Sequence, residues 1–173
     1  DHQTGAFLSL EERMRQRVWL IADTHFGHGN ILNFKDGQGN PVRPFSSAEE
    51  MDESMVENWN SRVADGDKVY HLGDVAIPRT GLKTLSRLSG RKVLIRGNHD
   101  IFKLADYTKY FKDIRSYHVL NGWILSHVPI HPGSLGRWTG NIHGHLHSNT
   151  IDDPRYRSVC VEQTNYCPVL MPE

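Results

Sequence analysis

Five short apolar runs in this chain each stop at a cluster of aspartate, histidine or asparagine, and that repeated ending is what most restricts the fold. Val18-Trp19-Leu20-Ile21-Ala22 leads into Asp23-Thr24-His25-Phe26-Gly27-His28, and Val69-Tyr70-His71-Leu72 leads into Gly73-Asp74. Val93-Leu94-Ile95-Arg96 delivers Gly97-Asn98-His99-Asp100, Trp123 to Leu125 delivers Ser126-His127, and Ile142-His143 precedes Gly144-His145-Leu146-His147. Short runs that are apolar at nearly every position read as strands covered on both faces. In open α/β sheets the carboxyl ends of such strands are where ligands bind. Any one of these polar clusters also suits an ordinary turn. Their recurrence at the ends of successive strands does not.

The segments between the runs supply helices and turns. Ser9 and Glu12 have the spacing of a capping box, which predicts a short leading helix to about Gln16. Ser47 and Glu50 form a second box, followed by Met51, Met55, Trp59 and Val63 on one helical face. Leu82, Leu85 and Leu88 before Gly90 predict a helix over 80–89, and Ile101, Leu104, Thr108 and Phe111 predict another. Residues 35–45, with two glycines and two prolines, read as a loop or hairpin excursion. Asn121-Gly122 between apolar runs is a two-residue hairpin signal. A last strand is expected near Ser158 to Glu162. There is no internal repeat or linker, so the expected organisation is one domain over residues 1–173, with residues 1–8 disordered or extraneous to it.

Composition narrows the partners. Twenty basic and twenty acidic residues cancel, which disfavours a basic stripe for non-specific nucleic-acid binding. The longest aliphatic or aromatic run, Val18 to Ala22, is far too short for a membrane span or a signal-peptide core. Cys160 and Cys167 make neither a disulfide framework nor a zinc or redox motif, so a reducing, cytoplasmic location is the simplest expectation. Eleven histidines, most of them in short clusters, are the anomaly.

Collected from the strand ends, Asp23, His25, Asp74, Asn98, His127, His145 and His147 are oxygen and nitrogen donors suited to Mn, Fe, Zn, Ni or Co. In an extended segment alternate residues point the same way, which would let Asp23 converge with His25 and His145 with His147. Seven donors exceed one tetrahedral zinc site but suffice for two ions if a carboxylate bridges. Two ions roughly 3.5–4 Å apart clamp the attacking and leaving oxygens of a phosphoryl displacement.

In this order, D-x-H, G-D, G-N-H-D, H and G-H-x-H, the motifs resemble the calcineurin-like metallophosphoesterase family, in its small phage and bacterial form, over residues 23–147. The resemblance implies an α/β fold, a four-layer α/β/β/α sandwich of two mixed sheets face to face with flanking helices. It implies that Asp23, His25, Asp74 and His147 hold one ion, and that Asp74 bridges to a second completed by Asn98, His127 and His145. Two divalent ions are thus implied, manganese first, with iron, zinc, nickel or cobalt as alternatives. A hydroxide between them would attack phosphorus. His99 would stabilise or protonate oxygen there, and Asp100 would orient its ring. One position departs from many relatives, where a second aspartate follows the G-D aspartate by three residues; here it is Ile77.

Other residues read less sharply. His28 and Asn98 are expected to contact substrate, and His131 competes with His127 for its role. His143 reads as packing or support for the ligands, and His71 as a satisfied core or edge histidine. Arg79, Arg137 and Trp138 lie in loops that could border the pocket, although solvated loop residues are commoner. The expected substrate is a small, nucleotide-like phosphodiester or monoester, with no membrane partner. A nuclease would keep the chemistry and change the partner, and a non-catalytic metal-binding scaffold would keep only the fold. Retention of His99 speaks against the scaffold.

Overall fold

The computed structural model of the chain describes Leu10 and residues 15–173. The leading helix expected from Ser9 and Glu12 lies outside the described residues. Among the described residues, nine strands form two sheets. The first has the order β4-β3-β2-β1-β9, built from β1 (Val18–Ile21), β2 (Lys68–His71), β3 (Arg91–Ile95), β4 (Asp113–Arg115) and β9 (Val169–Leu170). Its first four strands are parallel, and β9 runs antiparallel to β1. The second sheet has the order β5-β6-β7-β8, from β5 (His118–Leu120), β6 (Trp123–Ser126), β7 (Gly140–His143) and β8 (Tyr156–Ser158). Within it β5 is antiparallel to β6, and β6, β7 and β8 are parallel.

Alternation along each strand explains the layers. Leu20, Ala22, Tyr70, Leu72, Val93 and Ile95 of the first sheet meet Trp123, Leu125, Ile142 and Val159 of the second in a core between the sheets. Their neighbours Trp19, Ile21, Val69 and Leu94 face the other way, onto Met51, Met55 and Trp59 of helix α1 (Ala48–Arg62). Strands with both faces buried are the expected product of continuously apolar runs. The two mixed sheets packed face to face are those anticipated from the sequence. On the far face of the second sheet, Ile124 and Tyr156 are covered by Leu135, Ile130 and Trp138. That outer layer is a loop carrying a single 3-10 turn (Pro132–Ser134).

Three elements differ from expectation. Residues 79–87 form a 3-10 helix, with Leu82 and Leu85 buried. Leucines spaced strictly by three share one face at three residues per turn, so the spacing fits this tighter helix better than an α-helix. The helix expected after Ile101 is one turn, α2 (Leu104–Tyr107), and Ile101 itself is 74% exposed. The last strand is split: β8 ends at Ser158, Cys160 bridges in parallel to Ala22, and Val161–Gln163 turn into a 3-10 helix. Strands β4 and β9, of three and two residues, were not anticipated. The hairpin turn is as expected, with Asn121 and Gly122 both at positive φ (50° and 81°), as a type I′ turn requires. Among the described residues, no helix is long and apolar enough to cross a membrane.

Candidate metal centre

The polar clusters gather at one edge of the sandwich, where the parallel strands of both sheets end. Pairing between β1 and β2 continues past the strands. Asp23 N–H donates to Gly73 O at 2.9 Å, His25 N–H to Asp74 O at 3.1 Å, and Phe26 N–H to Val75 O at 2.9 Å. The two donor-bearing loops therefore run side by side. From the second sheet, Gly144 N–H donates to the His127 carbonyl at 2.9 Å. Glycine is needed where the loops touch. At Gly73, a Cβ would lie 2.6 Å from both Gly97 N and His127 Nδ1.

Two groups of three residues each place one ligand atom apiece within 4.8 Å of one another: Asp23, His25 and His147, and Asp74, His127 and His145. Asp74 stands between them, its Oδ2 lying 3.5 Å from His25 Nε2 and 3.4 Å from His127 Nε2. Asn98 adds its Oδ1 to the second group, 2.8 Å from His127 Nε2 and 3.0 Å from His145 Nδ1. All seven expected ligands are thus brought together. His131 is not among them; its Nδ1 accepts from Gly133 N–H at 3.0 Å in the exposed turn.

The route to convergence differs from the extended alternation expected. Asp23, His25, Asp74, His145 and His147 all sit in left-handed backbone conformations, with φ between 48° and 74°. That region is uncommon for any residue but glycine, although Asn, Asp and His enter it more readily than most, and five such residues at one edge persist because the surroundings impose it. Tight turns, rather than pleating, aim these side chains inward.

The donor set fits divalent cations on local evidence. Asp23 Oδ1 and His25 Nε2 are buried with no hydrogen-bond partner, an arrangement that costs free energy unless something else satisfies them. His127 Nδ1–H donates to the Leu72 carbonyl at 2.7 Å, which turns Nε2 toward Asp74 and Asn98. Oxygen acceptors therefore surround imidazole nitrogens at a point where a cation satisfies all of them. The electrostatics agree. Burial would raise the pKa values of Asp23 and Asp74, but hydrogen bonds and charges from neighbouring histidines override it and hold both carboxyls below their ordinary range. Burial pulls His25 and His127 down, and the same carboxylates more than offset it, leaving both raised. Buried negative charge here calls for positive charge.

Surrounding residues fix the ligands. Asp23 Oδ2 accepts from His145 N–H at 2.8 Å and from the Cys160 thiol at 3.3 Å. Asp74 Oδ1 accepts from His99 N–H at 2.9 Å. His25 and His28 are hydrogen-bonded through their Nδ1 atoms at 3.1 Å, with rings stacked 5.3 Å apart. Burial and the charges of His25 and Arg43 push His28 down to about 4. His71, wholly buried and pushed down to about 3 by desolvation, accepts from Gly73 N–H at 3.1 Å and lies 2.9 Å from Thr24 Oγ1. His143 lies with Nδ1 2.9 Å from the Gly144 carbonyl and its ring against Tyr156. Both are supports rather than ligands.

Asp100 corrects the expectation that it orients His99. Its Oδ2 accepts from Asp74 N–H at 2.8 Å and Gly97 N–H at 2.7 Å, and its Oδ1 accepts from Val75 N–H at 3.0 Å. Both carboxylate oxygens are thus engaged by backbone amides, and the residue pins two ligand loops together. His99 lines a cleft of about 750 Å³ beside the ligands, together with His25, His28, His145 and His147. Ile31, Phe34, Val42, Ile77 and Leu146 give that cleft an apolar wall, and among the described residues Lys35 is the one lysine or arginine lining it. Arg79, Arg137 and Trp138 are not part of it. Arg79 pairs with Asp106, and Trp138 packs over the second sheet. Sequence reasoning missed Arg43 and Glu162, which meet behind Asp23 and His147. Neither belongs to a motif, and 119 residues separate them.

A sandwich whose two sheets deliver carboxylates and imidazoles to a common edge, in two abutting groups, is an arrangement suited to metal-dependent phosphoester chemistry. The chain belongs to the calcineurin-like phosphoesterase family, whose model matches residues 16–164. It is 36% identical over 169 residues to an uncharacterized protein, MJ1445, of Methanocaldococcus jannaschii, covering 89% of this chain and 86% of that protein. It is 32% identical over 88 residues to the Gene 66 protein of Mycobacterium phage L5, a match that takes in 48% of this chain and 39% of the phage protein. Among solved structures, a protein of unknown function, AQ665, from Aquifex aeolicus superposes with a TM-score of 0.68 at 28% identity. That match covers 90% of this chain and 96% of the other.

Proposed function

We propose that this protein is a dinuclear metal-dependent phosphoesterase acting on a small, nucleotide-like phosphodiester or monoester in a cytoplasmic setting. The observation that carries the reading is Asp74, whose Oδ2 lies within 3.5 Å of an imidazole nitrogen from each ligand group. One carboxylate within reach of both groups is what two closely spaced ions need. Asp23, His25 and His147 would hold one ion, and Asn98, His127 and His145 the other, with Asp74 shared. Bound divalent ions, manganese in the first instance, would supply Lewis acidity at a phosphoryl oxygen and activate water.

The chain's own residues supply the rest. His99 is held by its backbone bond to Asp74, and its ring stands 5.8 Å from that of His25 on the cleft wall. From there it can donate a proton to a phosphoryl or leaving-group oxygen. Phe34, 47% exposed, offers an apolar surface against which a base or another planar group can lie. With Lys35 the one lysine or arginine among the described residues lining the cleft, one or two phosphates suit it better than a long polyanion.

The test is a panel of cyclic nucleotides, dinucleotides, nucleoside monophosphates and aryl phosphates, each assayed with manganese, zinc, nickel and iron and with a chelator. Metal-dependent turnover of a small ester is expected. Clean cleavage of single- or double-stranded DNA or RNA at physiological salt would replace this reading with a nuclease. No hydrolysis of any substrate by metal-loaded protein would favour a binding scaffold.

A further inference from the structure

We propose that Arg43 and Glu162 are positioning residues that set the proton location on His147 and the turn at Asp23, so that both present free ligand atoms to a cation. The proposal rests on the ligand roles assigned above to Asp23 and His147. Arg43 is 0% exposed, and arginine is seldom fully buried unless its charge is matched. Its Nη1–H donates to the Thr24 carbonyl at 2.8 Å, and its Nη2–H donates to the Asp23 carbonyl. Its Nε and Nη2 both lie 2.8 Å from Glu162 Oε1.

That same Glu162 oxygen is 2.8 Å from His147 Nδ1. A carboxylate accepts, so Nδ1 carries the proton, and in the neutral ring Nε2 is then the nitrogen that keeps its lone pair. Nε2 is the atom turned toward the centre, 3.7 Å from Asp23 Oδ1. Meanwhile the two carbonyls bonded by Arg43 belong to the turn that holds Asp23 at a φ of 59°. One buried cation therefore braces a ligand loop from the first sheet. Through Glu162 it also braces a ligand that follows a strand of the second. Supporting partners of this kind typically change metal affinity by about 10–100-fold when removed.

A purely structural ion pair would hold the fold without dictating which ring nitrogen of His147 is protonated. Long-range proton–nitrogen NMR on histidine-labelled, metal-free protein reads that directly. Wild type is expected to carry the proton on Nδ1. Glu162→Ala is expected to shift it toward Nε2 and to weaken zinc binding at the His147 site by about 10–100-fold, followed through the ring resonances, with the His127 site little changed. Glu162→Gln, which keeps an oxygen acceptor, should restore most of both. Arg43→Lys, the second route should Glu162→Ala not fold, is expected to keep the Nδ1 proton and still lose affinity at the His147 site. An unchanged tautomer in Glu162→Ala, or wild-type zinc affinity in Arg43→Lys, overturns the proposal. Wild-type protein that binds no divalent ion would instead refute the functional reading itself.

Discussion

Neighbours in sequence, His99 and Asp100 do unrelated work. The His99 ring faces the cleft, whereas Asp100 is buried with three backbone N–H groups on its carboxylate. His99→Ala should therefore retain the full complement of metal in elemental analysis while kcat falls by about 10²–10⁴-fold, the usual worth of a general acid–base group. Asp100→Ala should lower the free energy of unfolding, read from denaturant titration, by about 2–4 kcal/mol for lost charge-assisted bonds and orphaned amides. Wild-type stability in that variant would show that the loops need no such pin. The contrast also shows what was legible. Residue type and spacing picked out all seven side chains that the fold gathers, because their clusters recur at the ends of successive apolar runs, which ordinary turns do not explain. The pairing of His99 with Asp100 was inferred from adjacency, and adjacency says nothing about which way two side chains of a tight turn point. Arg43 and Glu162 were illegible for a different reason: charged residues are common on surfaces, and only the fold buries these two together.

Helix α1 is the clearest case of an element written in the sequence. Ser47 Oγ accepts from Glu50 N–H at 3.1 Å, and Met51, Met55 and Trp59 bury one face. The return half of the box is displaced by one residue, with the Glu50 side chain accepting from Ser46 N–H at 2.9 Å instead of from Ser47. Ser47→Ala should cost about 1 kcal/mol in equilibrium unfolding and leave turnover unchanged, because the cap stands apart from the ligand loops. A loss of activity beyond that of unfolding would tie the helix to the site more closely than its contacts suggest. Elsewhere the pattern was harder to read. The Leu82-Leu85-Leu88 spacing favours 3-10 geometry, but over so few residues it also fits one face of a short α-helix. Strands β4 and β9 are too short to display a period at all.

At the scale of the molecule, the centre lies across the seam between the sheets. Asp23, His25, Asp74 and Asn98 come from the first sheet's loops, and His127, His145 and His147 from the second's. Backbone stitches close the same edge, among them the Ala22–Cys160 bridge and the His127 Nδ1–Leu72 carbonyl bond. Any ion bound only by the folded form stabilises it by mass action, about 2.7 kcal/mol at a hundred times the Kd. Calorimetry should show Tm rising with added manganese or zinc and falling back with a chelator, and His99→Ala should keep that rise. An unshifted Tm would mean that the donor groups do not hold ions in the native state.

The glycines divide the molecule's capacity for change. A Cβ on Gly97 would run into the backbone and carboxylate of Asp74, and one on Gly144 would strike Asp23. Around Gly37 and Gly39, in the excursion that walls the cleft, there is open space within 4 Å. Lineages descending from such a chain can rewrite the tip of that excursion about Gly37 and so try new substrates, while Arg43 near its far end stays fixed beneath the ligands. The loops that hold the centre tolerate almost no drafts.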